Sequence, residues 1–111
     1  LTGLTMSAAS LKNTDPNGNG NAAVNVGVLS SQLSLTATVN GVCTGLDAQA
    51  STGAPNGELF HNFSKVNSTT FTVNFPGYPQ GSSELWADGS RVITVYSPTG
   101  VALGSATLVV K

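Results

Sequence analysis

A chain of 111 residues, 40% of them hydrophobic, carries enough apolar material for one packed core, and its length is that of a single domain spanning 1–111. Only 8% of the residues are charged and the formal net charge is −1; the four cations, Lys12, Lys65, Arg91 and Lys111, form no cluster able to neutralise several phosphates, which excludes nucleic acid as a partner. The single cysteine, Cys43, excludes an internal disulfide, and no apolar run reaches the ~18 residues of a membrane-spanning helix, so no membrane insertion is expected.

Helical spacing of apolar residues is nearly absent, and alternation is frequent. In chain order, strands are expected at Leu4–Ser10 and Ala22–Leu29, separated by the polar loop Asn13–Asn21. Leu33, Leu35, Ala37 and Val39 alternate with Ser34, Thr36, Thr38 and Asn40, the pattern of a half-buried strand. Val42–Ala48 is a further strand-like stretch and contains Cys43, a small residue suited to burial. The loop Thr52–Gly57 follows, then a strand over Leu59–Val66. Phe71, Val73 and Phe75 alternate with Thr70, Thr72 and Asn74 until Pro76-Gly77 ends the strand. Ser83–Ala87 and Arg91–Tyr96 flank Asp88-Gly89, a tight-turn signal that predicts a hairpin. Ser97-Pro98-Thr99-Gly100 has the residues of a turn, and Val101–Lys111 returns from it as the last strand of a terminal hairpin. Seven to nine short antiparallel strands, with turns every 8–12 residues, are the signature of an all-β sandwich or barrel.

The stretches Lys65-Val66-Asn67-Ser68-Thr69-Thr70-Phe71-Thr72-Val73 and Arg91-Val92-Ile93-Thr94-Val95-Tyr96-Ser97-Pro98-Thr99-Gly100 resemble bacterial immunoglobulin-like surface modules. Those modules carry a strand, a Pro/Gly break, a strand of the Ile-Thr-Val type and a closing hairpin. The resemblance covers about half the chain, and the Asn/Gly-rich loop near the N-terminus departs from it. It implies an immunoglobulin-like β-sandwich and a spacer or adhesive role on a surface protein, pilus or virion.

His61 is the only histidine, which removes copper sites needing two histidines and zinc sites of the two- or three-His type. A triad of a serine, His61 and one of Asp15, Asp47 or Asp88 is arithmetically available, but no Gly-x-Ser-x-Gly elbow flanks any serine, and no spacing supports Cys43 with His61 as a nucleophile pair. The five carboxylates, Asp15, Asp47, Glu58, Glu84 and Asp88, read mostly as turn-formers and solubilising groups rather than as a glycosidase pair. The expectation is therefore a protein that is not an enzyme.

Three binding patterns remain. Asp15-Pro16-Asn17-Gly18-Asn19-Gly20 opens like a calcium loop, with Asp15, Asn17 and Asn19 as oxygen ligands, but the twelfth position, where a bidentate Glu belongs, is Val26. The expected cofactor is none, with calcium as the alternative. Trp86, Tyr78 and Tyr96 are the rings that would stack on a sugar if they formed one exposed line. Asn62-Phe63-Ser64 and Asn67-Ser68-Thr69 fit the glycosylation acceptor pattern, and Lys12 and Lys65 are candidates for an internal Lys–Asn isopeptide bond.

The low charge is offset by 13 Ser, 13 Thr, 10 Asn and 13 Gly, a composition common among extracellular β-proteins. With no basic-plus-apolar leader at Leu1, the chain reads as a mature form or as a module of a longer protein. The expected role is that of a non-catalytic structural or adhesive module, extracellular, on a cell surface or on a virion. It would present the loops Asn13–Asn21, Thr52–Gly57 and Pro76–Ser82 to other protein subunits or surface glycans. Alternatives are a carbohydrate-binding module, or a self-assembling pilin or capsid decoration subunit that pairs through Leu4–Ser10 or Thr107–Lys111.

Overall fold

The alternation read from the sequence becomes two sheets that face each other across one apolar layer. The computed structural model describes residues 1–14, 26–41, 43–54, 57–78 and 84–111. Its strands are β1 (Gly3–Met6), β2 (Ser10–Leu11), β3 (Asn13–Thr14), β4 (Val26–Leu29), β5 (Leu33–Thr38), β6 (Asp47–Ser51), β7 (Glu58–Asn62), β8 (Ser64–Lys65), β9 (Thr70–Phe75), β10 (Trp86–Ala87), β11 (Gly89–Tyr96) and β12 (Ala102–Val110). A four-stranded sheet has the order β1-β5-β9-β8 and a five-stranded sheet the order β2-β12-β11-β6-β7. A small three-stranded sheet, β10-β4-β3, closes one end. The protein is all-β over the described residues.

Register explains the core. Leu33 pairs with Phe75, Leu35 with Val73 and Ala37 with Phe71, so each pair of neighbours sends its side chains to the same face. All six are buried. The five-stranded sheet answers with Ala48 and Ala50 of β6, Ile93 and Val95 of β11, and Leu108 and Val110 of β12, also buried. Trp86 fills the space between the two layers toward the small sheet, with its ring edge-on to Phe75 at a centroid distance of 5.6 Å.

The terminal hairpin forms as the turn residues predict. The Gly100 amide donates to the Ser97 carbonyl at 2.9 Å and the Ser97 amide to the Val101 carbonyl at 2.8 Å. Gly100 has φ +87°, the left-handed conformation that closes such a loop and that side-chain-bearing residues rarely adopt.

Four sequence expectations change. Leu4–Ser10 is not one strand: β1 joins β5, and β2 crosses to lie beside β12. Leu59–Val66 likewise divides at the buried Phe63 into β7, on β6, and β8, on β9. Alternation runs on through the first crossing, so periodicity cannot reveal it, whereas the second is followed by the exposed Ser64 and Lys65. Asp88-Gly89 does not make a hairpin, because Trp86–Ala87 pair with β4 and β11 pairs with β6 and β12; the chain changes sheets at Asp88. The strand expected at Val42–Ala48 begins only at Asp47, and Cys43 lies half-buried in the preceding loop with its thiol donating to the Gly45 carbonyl at 3.1 Å. Among the described residues, pairing is antiparallel except where β2 runs parallel to β12 and where Leu29 bridges Gly77.

These pairings give the sandwich two distinct poles. The turn Ser97–Gly100 and residues 39–41 and 43–46 form one, here called the turn pole. The small sheet, Thr52 and Pro76–Tyr78 gather at the other, the capped pole, where Ala87 donates to the Thr52 carbonyl and Tyr78 to the Leu29 carbonyl. Of the three presenting loops expected from the sequence, every described part lies at the capped pole.

Candidate functional site

The aromatic residues singled out by sequence do not share a face. Trp86 is 0% exposed, because β10 tucks its indole into the core beside Phe75, and it offers no platform to a sugar. Tyr78 is exposed at the capped pole beside Leu29. Tyr96 lies at the other end, half-buried on the outward face of the five-stranded sheet. The exposed line of three rings does not exist.

That outward face nevertheless holds a different pair of rings. On β11, Ile93 and Val95 point inward, so Val92, Thr94 and Tyr96 point out. On β6, Ala48 and Ala50 point inward, so Asp47, Gln49 and Ser51 point out. Phe60 of β7 pairs with Gln49 and therefore also points out, at 70% exposure. Tyr96 pairs with Asp47 from the other side. Phe60 and Tyr96 thus flank β6 diagonally, with Asp47 and Gln49 between them. Two strand spacings across and two residues along put their Cα atoms about 12 Å apart. A groove of about 280 Å³ runs between the rings, lined by these four residues with Ala48 and Gly100. A second hollow of about 260 Å³ adjoins it toward the turn pole and shares Asp47, with Thr44, Asn62 and Pro98 in its wall. Among the described strand residues facing outward on this sheet, the charged ones are Asp47 and Glu58.

Sequence reading missed Phe60. In Glu58-Leu59-Phe60-His61-Asn62 both parities carry a ring or an aliphatic side chain, so alternation does not say which one faces water. Only the register with β6 decides it.

His61 points inward, opposite Ala48, and is half-buried. Its ring stands edge-on to Phe75 at 4.8 Å, and its Nε2 is hydrogen-bonded to Glu84 Oε1. Asp47 and His61 occupy opposite faces of the sheet, so they do not form a triad. No cluster of three or more His, Cys, Asp or Glu able to hold a metal occurs among the described residues. The calcium candidates Asp15, Asn17 and Asn19 lie outside the described residues. Lys12 and Lys65 are both exposed, which removes the buried lysine that an internal isopeptide bond requires. Asn67 is exposed and uses its side-chain oxygen to accept from the Thr69 amide at 3.0 Å and the Thr69 hydroxyl at 3.2 Å.

The pairing edges differ from expectation as well. The end of β12 is covered: Val109 donates to the Ala9 carbonyl at 3.0 Å and Lys111 to the Leu11 carbonyl at 3.1 Å. Thr107–Lys111 is therefore not a free edge along its last residues, whereas among the described residues β1 pairs on one side only and leaves a short edge of four residues. No family model, curated protein or solved structure matches the chain.

Proposed function

We propose that the chain is a non-catalytic, immunoglobulin-like module of an extracellular or virion assembly, acting as a structural and adhesive element that holds its two poles apart under load. Two observations support the immunoglobulin-like reading. The orders β1-β5-β9-β8 and β2-β12-β11-β6-β7 carry the first segment of the chain from one sheet to the other, β1 at the edge of the first and β2 at the edge of the second. The last hairpin closes next to it, as in Greek-key sandwiches of this type. The added sheet β10-β4-β3 is a departure from that plan.

The observation that carries the load-bearing role is the parallel pairing of β2 with β12. Leu1 lies against Gly104, near the start of β12 at the turn pole. From there the chain runs along the body to Ser10–Leu11, and β12 ends beside them at the capped pole. A pull on the two chain ends is therefore directed along the strands in opposite senses. It loads the bonds Val109 to Ala9, Lys111 to Leu11 and Asn13 to Lys111, the last 2.7 Å long, all at once. Bonds sheared together resist force better than bonds opened one after another.

The test is single-molecule pulling in two directions. Attachment through positions 1 and 111 shears β2 from β12. Attachment through the exposed Ser51 and Lys111, both toward the capped pole, peels β12 away bond by bond. A higher unfolding force in the first geometry is expected. Equal forces, or a weaker first geometry, would rule out the load-bearing role.

A further inference from the structure

We propose that the outward face of the five-stranded sheet binds a neutral oligosaccharide, in the groove between Phe60 and Tyr96 with Asp47 and Gln49 at its floor. This goes beyond the load-bearing role and does not depend on it.

The chemistry of the four side chains selects the ligand. Phe60 leaves 70% of its surface in water on the wall of a groove it shares with Tyr96, apolar surface that gains by being covered. An apolar protein surface would cover the ring, but it would also bury the Asp47 carboxylate and the Gln49 amide between the two rings without partners, at a cost that offsets the gain. A sugar ring meets both demands. Its C–H face packs on an aromatic face, and its equatorial hydroxyls reach sideways. Asp47 can accept two such hydroxyls and Gln49 can both donate and accept, which suits adjacent hydroxyl groups on one ring.

Charge narrows the class. The charged groups that face outward on this sheet, among its described strand residues, are Asp47 and Glu58, both anionic. Acidic glycans and phosphate-bearing chains are repelled by that pair, whereas a neutral chain is not. Geometry sets the length. The Cα atoms that carry the two rings stand about 12 Å apart by strand spacing, a span longer than one sugar unit, so the ligand is a chain of several units. The adjoining hollow continues the path past Asp47 to Thr44 and Asn62, whose side chains offer further hydroxyl partners.

The experiment titrates the full chain with cellohexaose, xylohexaose, mannohexaose and chitohexaose, and with hexagalacturonic acid as an anionic comparison, by calorimetry and by amide NMR shifts. At least one of the four neutral probes is expected to bind, with shifts concentrated in residues 44–49, 58–62 and 94–100 and none from the anionic probe. Phe60→Ala and Tyr96→Ala are each expected to weaken that binding about tenfold or more, as for removal of an aromatic anchor. Asp47→Asn should weaken it less, and Tyr96→Phe should retain it, because the ring rather than the hydroxyl makes the platform. Phe60 is exposed, so its alanine variant should keep the parent's melting temperature and circular dichroism. The proposal is overturned if no neutral probe binds, if binding survives in folded Phe60→Ala, or if the shifts map to another face.

Discussion

The side-chain amide of Asn13 donates to the main-chain carbonyl of Trp86 at 2.8 Å and to Asp88 Oδ1 at 3.0 Å, tying together segments more than seventy positions apart in the chain. The bond to Trp86 spans the small sheet from β3 to β10 and helps hold the indole in the core. Asn13→Ala removes a donor that two part-buried acceptors use, and should cost about 1–3 kcal/mol. Asn13→Asp should cost more than alanine does, because it sets a carboxylate against a carbonyl and a second carboxylate. Urea midpoints at neutral pH check the order; an aspartate variant as stable as the parent would contradict it.

Trp86 is the largest fully buried side chain. Trp86→Ala should cost about 3–5 kcal/mol through lost burial and the cavity left behind. Its indole Nε1 is buried without a hydrogen-bond partner, so phenylalanine gives up an N–H that the fold does not use. Trp86→Phe should therefore lose less than half as much as alanine, and thermal melts of the two variants measure the difference.

These two residues also mark how far the sequence could be read. Strands with unbroken alternation and a turn at their end, such as β5, β9 and the β11–β12 hairpin, lie where Leu33–Thr38, Thr70–Phe75 and Ser97–Gly100 place them. The reading fails where a strand changes partner. In Leu4–Ser10 the alternation of half-buried and exposed residues runs straight through the crossing and carries no sign of it, while in Leu59–Val66 it ends at Phe63, with Ser64 and Lys65 of β8 both exposed, and nothing there names the new partner strand. Asp88-Gly89 has the residues of a hairpin, yet the pairing of Trp86–Ala87 with β4 overrides the local preference. The groove fails to show for a related reason. Phe60 and Tyr96 are 36 positions apart and become neighbours only through β6.

Two glycines should respond differently to one added methyl group. A Cβ on Gly27 would stand 1.8 Å from the Thr14 carbonyl oxygen, a main-chain atom held by the β3–β4 pairing. A Cβ on Gly104 would stand 2.7 Å from Leu1 Cδ2, the tip of a mobile side chain. Gly27→Ala should thus separate β3 from β4 and cost about 3 kcal/mol or more, while Gly104→Ala should stay within about 1 kcal/mol of the parent. Chemical denaturation of the pair decides it, and equal losses would show that the small sheet yields.

The bond between His61 and Glu84 joins β7 to the segment before β10, with side-chain exposures of 27% and 18%. Removing either partner should cost about 1–2 kcal/mol, as for a hydrogen bond to a charged group with some access to water. Because the two act as one unit, His61→Gln combined with Glu84→Gln should cost clearly less than the sum of the single changes. A double-mutant cycle in urea measures that coupling, and strict additivity would show that the pair adds nothing to the fold.

The shear bonds at the capped pole can be cut singly. The Val109 amide points at Ala9, and its side chain is exposed on the outward face. Val109→Pro deletes that N–H while the facing strand β11 keeps its own register with β12. Proline's fixed φ also strains the strand, so some equilibrium stability is lost as well. The pulling geometry separates the two effects. A loss of shear bonding lowers the unfolding force between positions 1 and 111 by a larger fraction than the force between positions 51 and 111. A general weakening lowers both in proportion, and that result would show that the β2–β12 pair is not where the load is carried.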